Sequence, residues 1–311
     1  MSVPIRRRLP RHHALLAVLS IALLQAAAAD PARAQGPDYS GWQSLLDRYV
    51  VRLEGKNQPA DTRFDYEQLY VDEGIWTKHR SERLELVHAQ LFAVSPSALD
   101  DRERLTWAIN AYNFLVIERA TLLLLVPRRK FQRYDAVTQM SSADGSFFEA
   151  QVAQVEGRGY SMAEFERRFV YGDSTPMIEP RRVAADPRRM FALCRGSLGG
   201  PPLAPRAFRP ESLEVQLDLA TRTALAISRT ASVDPASKKL LVSDYLGERL
   251  VDFGGTPAGV VPFVTKYGPP ALRSAIKREK LTDVARFTPV DPLLNQFLRP
   301  KPPPPAPASK S

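Results

Sequence analysis

The chain of 311 residues is 44% hydrophobic and 25% charged, with a formal net charge of +9, which is enough apolar material for a sizeable core. Much of that charge lies at the two ends: residues 1–34 hold five Arg against one Asp, and Arg299, Lys301 and Lys310 close the chain. The region between is nearly neutral, so the basic balance is no argument for a nucleic-acid partner, and one cysteine without CxxC or Cys/His zinc spacing excludes a disulfide framework and the common zinc sites.

Arg6-Arg7-Arg8 and Arg11, an apolar run from Ala14 to Ala29, and Ala32-Arg33-Ala34 follow the order of a secretory signal. Residues 1–34 are therefore expected to be removed, with export to the periplasm or beyond. The apolar run falls short of the roughly 20 residues a span needs, and no membrane span is expected in the mature chain. Outside the leader only His79 and His88 remain as histidines. Any Cys-His or Ser-His chemistry would have to draw on one of these two.

From Ser40 onward, Trp42, Leu45, Leu46, Tyr49 and Val50 recur at helical spacing, and Gly55 closes the segment. A second amphipathic stretch opens at Phe64-Asp65-Tyr66 and ends before Ser95-Pro96. It carries both histidines among charged residues, as expected of a solvated helix rim. Asp100 with Glu103 is a candidate cap for a helix that is apolar on nearly every face and hence central. Within it Asn110 and Asn113 are neighbours on one face. Both need partners, and either clamp a loop or line a polar pocket.

Phe147 to Tyr160 alternates in part and ends with Gly157 and Gly159, which predicts a small hairpin. Ser161 with Glu164 forms a capping-box pattern ahead of a short helix in which Glu166 is a candidate buried carboxylate beside Arg167 and Arg168. Helices are predicted around Leu213–Ile227, Gly259–Lys266 and Pro270–Lys277, and a strand at Leu240–Val242. From Arg299 the tail RPKPPPPAPASKS is expected to be disordered polyproline. The fold class is α+β: a predominantly helical single domain over residues 35–298, with a small β-hairpin or sheet element and a buried central helix.

The stretch DPRRMFALCRGSLGGPPL, Asp186 to Leu203, combines an apolar run, the sole cysteine and paired Gly and Pro. Such a corner either reverses the chain or holds chemistry. Cys194 is the evident nucleophile, and a packed inert thiol is the plainer alternative.

FDY (64–66), WAINAYN (107–113), Ser161-x-x-x-Phe165-Glu166, the stretch 186–203 and DPLLN (291–295), in this order, resemble the DUF547 family over about residues 60–298. The family's usual pattern is close to DPRIHFALVCASLSCPPL with an earlier IEH. Against it, Met190 stands for a His, Arg195 and Gly200 for the two Cys, and Arg167 for the His of IEH. Cys194 is one position early, and in an extended segment that turns its thiol to the other side. The resemblance implies retained polar residues (Asn110, Tyr112, Asn113, Glu166, Ser197 and Asn295) and lost thiol, base and soft-metal ligands.

The expected function is a non-catalytic binding or structural protein with an inherited polar pocket. The alternative is a hydrolase or transferase working through Glu166 with Ser197 or Tyr112. No cofactor or metal is expected. Arg167 and Arg195 predict a positive pocket for a small anion or acidic group, unless Glu166 already neutralises Arg195.

Overall fold

The computed structural model describes residues 36–55, 58–75, 81–124, 136–142, 145–172 and 185–299. The leader, His79 and the tail beyond Arg299 lie outside the described residues. Among the described residues no helix is long and apolar enough to cross a membrane.

The architecture is helical around one buried rod with small sheets at its flanks. The rod is the helix Asp101–Leu124, in which every residue from Thr106 to Ile117 is buried. Its start is fixed by a reciprocal box: Glu103 N–H donates to Asp100 Oδ1 (2.8 Å) and Asp100 N–H to Glu103 Oε2 (3.1 Å). Trp42, Leu45, Leu46 and Tyr49 from the helix Ser40–Tyr49, and Leu84, Val87 and Leu91 from Glu82–Phe92, join the rod's core cluster. His88, on the second of these helices, is half-buried against the rod, its ring Nδ1 at 2.9 Å from Glu118 Oε2.

The first helix is shorter than expected. Val50–Gly55 leaves it as a strand and pairs antiparallel with Gln58–Phe64, Val50 opposite Phe64 and Leu53 opposite Asp61. β-branched Val50 and Val51 suit an extended chain, and the tertiary partner overrides the helical spacing upstream.

The hairpin Gln151–Val155 with Arg158–Ser161 turns at Glu156 and Gly157, both at positive φ. The Ser161–Glu164 capping box is formed, and the helix Met162–Phe165 widens into a π-helical run, Glu166–Tyr171. A second apolar cluster gathers Leu240, Val242, Tyr245, Val260, Val264 and Ile276 around a three-stranded sheet. There Leu240–Ser243 pairs antiparallel with Ala231–Val233 and parallel with Arg286–Thr288.

The central stretch joins these two cores: Met190 and Phe191, on the short helix Arg188–Phe191, belong to the second, and Ala192 to Cys194 to the first. The C-terminal segment then laces the stretch down. Leu198 N–H donates to Leu293 O (2.6 Å), Gly199 N–H to Asp291 O (2.9 Å), Asn295 N–H to Gly196 O (2.8 Å) and Phe64 N–H to Asn295 O (2.9 Å). A Cβ on Gly199 would overlap the backbone of Asp291, so only glycine permits this approach.

Candidate functional site

The residues singled out in the sequence separate into two groups with different work. Asn110 and Asn113 are backbone clamps, and Asn295 holds two side chains. Asn110 donates through Nδ2 to Phe208 O and accepts from Phe208 N–H, both at 2.9 Å. Asn113 donates to Ala192 O (2.9 Å) and accepts from Cys194 N–H (2.7 Å). Both amides are thereby satisfied inside the core, which is the loop-clamping alternative of the two the sequence left open.

Asn295 sits behind the cysteine: its Nδ2 donates to Cys194 Sγ (3.1 Å), and its Oδ1 accepts from Tyr66 O–H (3.3 Å). Cys194 is 1% exposed, and burial pushes its thiol up to about 11, against the weaker pull of the Gly196 N–H and the Asn295 amide. A thiol so held is protonated at neutral pH and has no route to solvent.

Arg195, the next residue, projects elsewhere, as expected of successive side chains in the irregular chain that follows the short helix. Its Nη1 donates to Glu166 Oε2 (2.8 Å) and its Nη2 to Glu248 Oε2 (2.6 Å). The guanidinium also lies over two aromatic rings, 5.1 Å from the centroid of Tyr245 and 5.8 Å from that of Phe148. Glu166 is buried and Glu248 is half exposed. Burial holds the Glu166 carboxyl above its usual range, with Arg195 opposing that shift, while the surrounding carboxylates and tyrosines keep Arg195 protonated.

The Tyr112 hydroxyl is buried beside Glu166 and Arg195 without a well-formed hydrogen bond to either. At the start of the π-helical run Glu166 is buried and Arg167, one step on, is exposed, and no ion pair among the described residues joins Arg167 to this cluster. π-Turns recur where a helix has to re-aim a functional side chain.

Above Arg195 lies a cleft of about 310 Å³, walled by Phe148, Tyr245 and Val290 and carrying the Ser197 side chain and Glu248. Positions 195 and 200 are neighbours here, since a Cβ on Gly200 would stand 3.2 Å from Arg195 Cβ and 3.3 Å from Ser197 Oγ. The long Arg195 and the bare Gly200 are matched in volume. Of the two alternatives for the pocket's charge, the structure has Glu166 paired with Arg195: one guanidinium faces two carboxylates, Arg167 is absent from the cleft, and Arg188 is bound to Asp186, Glu214 and Asp218.

Glu248, Tyr245 and Phe148 were not anticipated as site residues. Glu248 lies 53 positions from Arg195, and nothing local in its sequence marks it as that residue's partner.

Residues 96–223 match the family model described as "Protein of unknown function, DUF547". No curated protein and no solved structure matches the chain. The matched span takes in the rod, both clamping asparagines on it, Glu166 and the whole central stretch, whereas Glu248 and the DPLLN segment fall outside it. Most of the polar cluster around Arg195 thus lies within the span, residues 96–223, that matches the DUF547 model.

Proposed function

We propose that the protein is an exported, non-catalytic binding or structural member of DUF547, acting in the periplasm or outside the cell. The observation that carries this reading is Arg195, held between Glu166 and Glu248 at the position where the family resemblance expects a cysteine. A guanidinium is neither nucleophile nor base near neutral pH, and the remaining thiol is sealed behind Asn295. The order of basic, apolar and A-x-A segments at the N-terminus supports export.

A hydrolase or transferase built on Glu166 needs that carboxylate to meet a hydroxyl or a substrate. Here its Oε2 is taken by Arg195, and among the described residues no hydrogen bond joins it to Ser197. A ligand of the Arg195 cleft that carries its own carboxylate has to displace Glu248, so this cleft suits a neutral or polar ligand better than the small anion suggested by the sequence.

One measurement tests the reading: intact-mass spectrometry of the exported protein after exposure to a thiol reagent under native conditions. The expected species begins at Gln35 and carries no adduct. A soluble exported species retaining Met1 overturns cleavage of the leader, and absence of the protein from the exported fraction overturns export. Modification of Cys194 as fast as a free thiol overturns the sealed site.

A further inference from the structure

A second cavity lies away from Arg195, between the N-terminal hairpin, the Pro202–Pro205 loop and the helix Leu213–Ala226, and encloses about 340 Å³. That is at the lower end of the roughly 300–1,000 Å³ typical of small-molecule sites. The helix supplies it with a second stripe. Leu213, Leu217, Thr221 and Ala224 face the core, whereas Gln216, Leu219, Ala220 and Thr223 line the groove at spacings of three and four. Leu219 is 63% exposed, a large apolar side chain placed at a cavity rather than in a core.

The groove's own polar groups are already engaged. Thr62 O–H donates to Leu203 O (2.9 Å), and Gln216 donates to Ala207 O (2.9 Å) and accepts from Arg209 N–H (2.7 Å). At the rim stand Arg52 and Arg206, both exposed and neither ion-paired to a described carboxylate. The contrast with Arg195 is direct: there both terminal nitrogens are occupied by carboxylates, whereas here two guanidiniums border an apolar wall and, among the described residues, no carboxylate is paired with either.

We propose that this groove binds an anionic amphiphile, an acyl-chain carboxylate of medium length, with the chain along Leu203, Phe208 and Leu219 and the carboxylate between Arg52 and Arg206. Guanidinium donors suit a carboxylate, and the apolar wall suits a methylene chain. The chain's own C-terminal tail does not complement the rim, because beyond Arg299 its charged side chains are Lys301 and Lys310. The inference does not depend on the Arg195 cleft and stands whether or not that cleft is catalytic.

The experiment is isothermal titration of the full mature chain with octanoate, decanoate and decanol, each below its aggregation threshold, in wild type, in Arg52→Gln/Arg206→Gln and in Glu248→Gln. Saturable decanoate binding is expected, tightening roughly fourfold for each methylene added from octanoate. Decanol and the double variant should bind at least about tenfold more weakly, since each loses at least one charge-assisted contact. Glu248→Gln, which alters only the other cleft, should match wild type. Because Arg52 and Arg206 are exposed, the double variant should melt with wild type.

No saturable decanoate binding, or equal binding in the double variant, overturns the proposal. So does binding only to vesicles of an anionic phospholipid, which would make the face a membrane contact. Concentration-dependent self-association in sedimentation that blocks the fatty acid would assign the groove to a second copy and overturn it equally.

Discussion

At the scale of single residues, Arg195 and Glu166 decide what the central stretch can do. Glu166 is buried, and its carboxyl is held above the usual range by burial even with Arg195 at 2.8 Å. Removing the cation leaves a charge without compensation, a loss of about 3–5 kcal/mol for a buried pair. Arg195→Met should therefore be strongly destabilised near neutral pH in a denaturant titration. The sign of its pH dependence follows from linkage. A carboxyl with a raised native pKa binds its proton more tightly folded than unfolded, so stability rises as pH falls through the native value toward the ordinary carboxyl range. The variant should recover part of its loss on acidification, and Arg195→Met combined with Glu166→Gln should be nearly flat over the same window. A single variant as stable as wild type at pH 7 would place Glu166 in contact with water.

Among the elements, the helix Asp101–Leu124 carries the fold because every neighbour is referred to it. Asn110 holds Phe208 and Asn113 holds the segment from Ala192 to Cys194, so two loops distant in sequence are pinned to adjacent turns of one rod. Asn110→Leu leaves the buried N–H and C=O of Phe208 unpaired, and each such group costs about 1–3 kcal/mol. The variant should lose about 3 kcal/mol or more, seen as a fall in melting temperature of roughly 6–12 °C for a domain of this size. An unchanged transition would mean that water replaces the amide and that the rod is not closed there. The start of the π-helical run belongs to the same scale: Glu166 is buried in the cluster, and Arg167, one helical step on, is exposed.

Across the whole molecule, the C-terminal segment closes what the rod organises. It hydrogen-bonds to the hairpin end at Phe64, to Val137 and to the run from Gly196 to Gly199, and buries Leu294 and Asn295. A chain ending at Val290 loses these bonds, the buried Leu294 and the partner of the thiol together. Truncating one buried leucine alone costs about 2–5 kcal/mol. Such a chain should melt at least roughly 10 °C lower and should label rapidly at Cys194. Full protection of the thiol in that chain would show that the segment is not its cover.

The local signals were legible where the responsible physics is local. The capping pairs Asp100–Glu103 and Ser161–Glu164, the all-round apolar rod, the hairpin turn at Gly157 and the helices near the C-terminus all follow from contacts within a few residues, and each can be read in the linear chain. The different directions of Cys194 and Arg195 were legible too, because successive side chains of an extended or irregular segment turn to different sides. Three things required the third dimension. Val50–Gly55 became a strand because Gln58–Phe64 was there to pair with it. Glu248 became the second partner of Arg195, across 53 residues, and added a second carboxylate to the Glu166 pairing that the sequence had offered as one alternative. Arg52 and Arg206 came to border one groove although they lie on a hairpin and a distant loop. Charge balance at a site depends on which side chains meet in space, and that is settled by packing, which periodicity along the chain does not encode.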